Sequence, residues 1–207
     1  MSDARARIMK RIGLTLMILI IGCLARSSVR ADELLPVRNC TWCHGTSAQG
    51  YMTAPRLAGQ RYEYLEKQLL SFKNHTRDNP FSMQYMWDAV AYLGPQTARD
   101  LAFYFSTLPP KAAGDGNWDL APIGQAIYAE GIPEQNVVAC AVCHGPNAEG
   151  VRDIPRLGGL SYTYLKRRLD QWGEGFHSAA QLPMPFIAGK LSPDDIEALA
   201  SYLSFVR

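Results

Sequence analysis

Cys40-Thr41-Trp42-Cys43-His44 and Cys140-Ala141-Val142-Cys143-His144 decide how the rest of this chain is read. Two thiols three residues apart can add to the two vinyl groups along one edge of a haem, and the histidine that follows lies where an imidazole nitrogen can bind the iron. Cys-x-x-Cys-His is therefore the attachment signature of c-type haem. Each motif brings its surroundings with it. Residues 40–72 and 140–172 superimpose without a gap, and fourteen of the 33 positions are identical. Gly45/Gly145, Gly50/Gly150, the Pro-Arg-Leu at 55–57 and 155–157, Gly59/Gly159, Tyr62/Tyr162 and Tyr64/Tyr164 are among them. A zinc site would need further ligands at looser spacing, and a thiol–disulfide pair has no use for the histidine. The reading is two covalently bound haem c groups, held by Cys40, Cys43, Cys140 and Cys143, with His44 and His144 as iron ligands.

The iron in each repeat needs a ligand on its other side, and a soft thioether suits one that changes oxidation state. Met184 is the only methionine after the second motif, and it lies seven residues before Leu191, where the last helix is expected to open. Seven residues before the equivalent Leu93 is Met86. Met83 competes with Met86, but it aligns with Gln181. The other reading of these methionines is core filling, and Met52 is read that way. His75 and His177 align with Gly175 and Arg77, so they are read as surface residues rather than ligands.

The N-terminus reads as a targeting segment. Arg5, Arg7, Lys10 and Arg11 precede an apolar run over residues 12–25. That run is short for a membrane span and matches a secretory signal. Cleavage after Val29-Arg30-Ala31 leaves a mature chain from Asp32; the alternatives are lipidation at Cys23 and an uncleaved anchor. Without residues 1–31 the chain has 15 basic and 18 acidic residues. The formal charge of +2 thus belongs to the leader, and nucleic-acid binding is excluded as a function class. The division expected is 1–31 signal or anchor, 32–108 first domain, 109–121 linker and 122–207 second domain. The linker is read from Pro109-Pro110 followed by Gly114 and Gly116.

All-α structure is expected. Ser192-Pro193-Asp194-Asp195 is a helix start with a cap, a proline at the first position and acids in the first turn. Ile196, Leu199, Ala200 and Leu203 then share one face, as do Ala98, Leu101, Ala102 and Phe105 after Pro95. A middle helix is expected over Tyr162–Trp172, and another from Gly124 to Glu130 ahead of the second motif. The corresponding stretch of the first repeat, Asp32–Asn39, is interrupted by Pro36. Met184, between two prolines, is expected outside any helix.

These residues resemble the cytochrome c4 family, dihaem proteins built from two class I cytochrome c domains. The likeness is carried by the two motifs, by Pro55-Arg56-Leu57-Ala58-Gly59-Gln60 with Tyr64-Leu65 and Gln68-Leu69, and by Met86 and Met184 ahead of helices ending in Leu-Ala-x-Tyr. It implies axial ligation by His44 with Met86 and His144 with Met184. It also implies that the Pro55 and Pro155 carbonyls accept the histidine Nδ1 protons, and that Arg56 and Arg156 stand near the haem propionates. The implied function is electron carriage in a periplasmic or membrane-associated respiratory chain. The implied donor is a quinol-oxidising complex or dehydrogenase, and the acceptor a terminal oxidase. A cytochrome subunit of a membrane dehydrogenase or oxidase complex is the alternative, followed by a dihaem peroxidase. No catalytic residue is expected. Membrane association would run through residues 12–25 or a lipidated Cys23. The family's first helix is weak in the first repeat, so a less stable first domain with a more exposed haem is expected.

Overall fold

A computed structural model describes residues 29–51, 53–176 and 183–207, with backbone only over 29–35. Residues 1–28 of the targeting segment, with Cys23, and also Met52, His177 and Gln181, lie outside these residues. The described chain is helical, and its only β-type pairings are two isolated bridges, Ile132 with Val137 and Val151 with Ile154.

In the first repeat, α1 (Val29–His44) runs straight into the first Cys-x-x-Cys-His. Pro36 lies inside it, so the expected interruption does not end the helix. A proline removes its own N–H from the ladder, one bond, and the turns on either side carry the helix through. Next come α2 (Tyr62–Lys73), a π-helical turn (Ser82–Met86), the short α3 (Trp87–Val90) and α4 (Pro95–Thr107). Leu65 and Phe72 of α2 and Ala98, Leu101, Ala102 and Phe105 of α4 are all buried, which fits the apolar stripe read along α4.

The second repeat repeats the pattern with one more long helix. α5 (Ala121–Glu130) starts three residues earlier than expected, because Pro122 is accommodated in its first turn. It precedes the short α6 (Ala141–His144), α7 (Tyr162–Gly173), α8 (Met184–Ala188) and α9 (Pro193–Phe205). Met184 thus opens a five-residue helix rather than sitting outside one; Pro183 and Pro185 fall at its start, where a missing N–H costs nothing. The α9 start carries a full capping box, with the Ser192 side chain and the Asp195 carboxylate each accepting from the other's backbone N–H. α5 crosses α9 where Gly124 lies against the Ala198 carbonyl; a Cβ at 124 would overlap that oxygen. Around this crossing Ile127, Tyr128, Leu165, Leu169, Ile196, Leu199 and Leu203 form one core.

Residues 109–117 are tied down at both ends. Gln49 donates to Pro109 O (3.0 Å) and accepts from Lys111 N (3.0 Å). Ala113 N reaches Gly159 O and Gly114 N reaches Ser204 O. Gly116 N and Asn117 N donate to the hydroxyls of Ser204 and Ser201. The Asp115 carboxylate accepts from Tyr162 N, at the start of α7. The proline–glycine stretch expected as a linker is a strap packed on the helices it joins.

Candidate haem-binding centres

The two motifs fold alike because the loop behind each has the same backbone. Gly45 and Gly145 both adopt φ +82°, and Ala48 and Ala148 both sit in the left-handed region at φ 55° and 54°. His44 O accepts from Gly50 N at 2.8 Å, as His144 O does from Gly150 N. Ala48 O accepts from the N–H groups of Leu57 and Ala58, and Ala148 O from those of Leu157 and Gly158. This turn returns the Pro-Arg-Leu segment to the histidine. Pro55 O lies 2.7 Å from His44 Nδ1, and Pro155 O lies 3.0 Å from His144 Nδ1. Either carbonyl can only accept, so Nδ1 carries the proton and Nε2 keeps its lone pair. Both rings are buried, and burial lowers both pKa values, partly offset by the proline carbonyl. The result at each site is a neutral imidazole of fixed tautomer with one nitrogen open to a metal.

None of the four motif cysteines is in a disulfide. Cys43 is exposed, and the other three are half-buried. Before attachment, burial pushes the Cys40 and Cys140 thiols up to about 11. Among the described residues no three His, Cys, Asp or Glu side chains converge to hold a bare ion. Met86 ends the π-helical turn and Met184 begins α8; both are partly buried, and Met184 packs at the edge of the second core. Met83 is 40% exposed. His75 is exposed, with its ring stacked on Trp87 at 4.0 Å. Trp172 Nε1 is buried without an acceptor among the described residues, as is Arg56 Nε. Arg61 Nε and Arg167 Nε are orphaned in the same way, and buried donors of this kind suit a ligand that brings carboxylates.

The arginines expected near propionates differ from one another. Arg56 is buried and donates to the carbonyls of Lys111, Gly158 and Gly159. Arg156 is half-buried and donates weakly, at 3.3 Å, to Gly158 O in its own repeat. Sequence reading missed a second junction between the repeats, formed by Arg77, Gln68 and Tyr164. Arg77 donates to Gln68 Oε1 (2.6 Å) and across to Tyr164 Oη (3.2 Å). Only the identity of Tyr64 and Tyr164 hinted at it.

The sequence matches the family described as Cytochrome c twice, over residues 28–109 and 121–206. Cytochrome c4 of Thiocapsa roseopersicina is 34% identical over 173 residues, 79% of this chain and 85% of that one. The solved structure of Acidithiobacillus ferrooxidans cytochrome c4 superimposes with a TM-score of 0.76 at 32% identity, covering 81% of this chain and 98% of that one. The chain belongs to the cytochrome c4 family. Its place among cytochromes c makes it an all-α, two-domain, dihaem electron carrier with two covalently attached haem c groups. A further relative, at 34% identity over 81% of this chain and 78% of its own length, is a thiosulfate dehydrogenase electron acceptor from Stutzerimonas stutzeri.

Proposed function

We propose that residues 32–108 and 122–207 each enclose one haem c, the first tethered by Cys40 and Cys43 and the second by Cys140 and Cys143. His44 and Met86 would hold the first iron, and His144 and Met184 the second. Bound in this way, haem supplies a one-electron couple. The protein's own contribution begins with the Pro55 and Pro155 carbonyls, which orient each imidazole and raise its basicity through Nδ1–H. The observation that carries the reading is this histidine–proline bond, built on the same turn in both repeats. Trp172 Nε1 and Arg56 Nε are the donors offered to haem carboxylates.

With both coordination spheres filled by protein side chains, the chain carries electrons and catalyses no turnover of its own. It does so outside the cytoplasm, where the basic and apolar N-terminal segment would send it. Its partners are redox proteins: a dehydrogenase or quinol-oxidising complex as donor and a terminal oxidase as acceptor. The name of the Stutzerimonas relative supports a dehydrogenase donor. Trp42 and Val142, inside the motifs, are 87% and 76% exposed and offer apolar contact beside each attachment point.

Optical and magnetic spectra of the purified protein, recorded with and without carbon monoxide, test this reading. Two low-spin haems with a methionine–iron band and no rapid carbon monoxide binding are expected. Robust peroxide turnover would overturn the carrier assignment. The apolar run at 12–25 favours a second reading, a subunit held at a membrane complex; co-purification with other subunits in the membrane fraction would select it.

A further inference from the structure

Some contacts between the two repeats are matched, Lys67 with Asp153 in one direction and Arg167 with Thr53 O in the other, but those of Arg56 and Gln60 are not, although the sequences that make them are related. Arg56 is 5% exposed and spends two guanidinium nitrogens on acceptors beyond its own repeat. Nη1 lies 2.6 Å from Lys111 O and 2.8 Å from Gly159 O, and Nη2 lies 2.7 Å from Gly158 O. Four residues on, the buried Gln60 clasps the backbone of Arg156. Its Nε2 donates to Arg156 O at 2.9 Å, and its Oε1 accepts from Arg156 N at 2.7 Å. Neither residue has a matching partner facing the other way. Arg156 stays within its own repeat, and position 160 is a leucine buried in the second core. The five bonds that Arg56 and Gln60 make beyond their own repeat all end on backbone atoms, one on the strap at Lys111 and four in the second repeat. They therefore report where the second repeat's main chain lies rather than how a mobile side chain is posed.

We propose that Arg56, seconded by Gln60, is the positioning residue that locks the two haem-bearing repeats into one fixed arrangement and so sets the rate of electron passage between them. The proposal rests on the dihaem-carrier reading. Passage is a simple exchange in which one iron loses the electron that the other gains, with no proton or further reagent needed. Its rate depends on how the two centres are held. Arg56 directly follows Pro55, whose carbonyl holds His44, so a shift of Arg56 also reaches the first centre. Three charge-assisted bonds from one planar fork make a more specific lock than one ammonium group can. The site is fitted to the fork: a Cβ on Gly159 would stand 2.7 Å from Nη1 and 2.9 Å from Ala112 Cα.

The test uses the full-length dihaem protein in five forms: wild type, Arg56→Ala, Arg56→Lys, Gln60→Leu and, as a control for lost stability alone, Ser192→Ala. Inter-haem equilibration is followed after flash reduction, and thermal unfolding by calorimetry. Arg56→Ala is expected to slow equilibration about tenfold or more, since small misplacements of reacting centres carry penalties of that order. It should also split one thermal transition into two. Gln60→Leu, which installs the residue of the second repeat, should act in the same direction more weakly, and Arg56→Lys should recover part of the rate. Ser192→Ala should lower the melting temperature and leave the rate alone. If Arg56→Ala does not fold, the lysine and Gln60 variants decide. Wild-type equilibration in the folded Arg56 and Gln60 variants, or slowing matched by Ser192→Ala, overturns the proposal. Failure of the wild type to show two low-spin haems would instead overturn the carrier reading beneath it.

Discussion

Gly50 and Gly150 hold φ +80° and +73°, a region other residues enter only under strain. A Cβ at Gly150 would stand 2.5 Å from Ile154 O and Pro155 C, directly on the segment whose carbonyl meets His144. Gly150→Ala is expected to cost about 1–3 kcal/mol of stability. It should also shift the reduction potential of the second haem, which redox titration of the purified variant would record. Methionine assignment is tested at the same scale. Met86→Ala should abolish the methionine–iron band of the first haem, whereas Met83→Ala, at a 40% exposed side chain, should leave it in place. Loss of that band in the Met83 variant alone would reverse the assignment. Attachment chemistry was legible at this scale because Cys-x-x-Cys-His is local and its spacing is the mechanism. The contacts of Arg56 were not. Sequence supplied a positive charge, but the acceptors are carbonyls up to 103 positions away, and backbone atoms leave no residue signature.

Among the elements, α9 was readable to the residue because its signals are local: Ser192 caps, Pro193 begins and Asp195 closes the box. Ser192→Ala should cost about 1 kcal/mol, the usual value of a lost cap, in denaturant unfolding. α5 was only partly readable: it was expected from Gly124, and it begins at Ala121 with Pro122 taken into its first turn. Pro36 misled, since one lost hydrogen bond does not outweigh the turns around it. The α5–α9 crossing depends on Gly124. Gly124→Ala must push the helices apart or distort them, at a cost of about 1–3 kcal/mol from overpacking. A melting temperature equal to wild type would show that the crossing yields more easily than the contact with Ala198 implies. Position 103 gives the contrast within the first repeat. Phe103 is 65% exposed, whereas its counterpart Ser201 is fully buried beneath the strap and accepts from Asn117 N.

Across the molecule, the repeats also meet through Lys67 and Asp153, whose charged groups are 2.9 Å apart. The bond from Lys67 holds the Asp153 carboxyl below its ordinary 3.8. A carboxyl lowered by folding stabilises above its unfolded value and loses that contribution as pH falls through the lowered one. Both side chains are about half exposed, so the pair contributes only about 0–1 kcal/mol and weakens in salt. The melting temperature of Asp153→Asn should therefore lie slightly below wild type at neutral pH and converge with it below pH 3.8. A gap that persists in acid would assign the effect to packing instead. The two-domain plan was visible beforehand in the internal repeat. The hydrogen bonds that pin its join were not, because prolines and glycines describe a pinned strap and a loose tether in the same letters.

Gln60 faces outward across the junction while Leu160 turns into its own core. Two copies that arose as equals have thereby become left and right shoes. A chain re-engineered with residues 60 and 160 exchanged would keep every haem-attachment residue yet present leucine where the clasp is needed and glutamine where the core is dry. Such a chain is expected to express as two less firmly joined cytochromes, so the difference between the copies has become part of what is inherited.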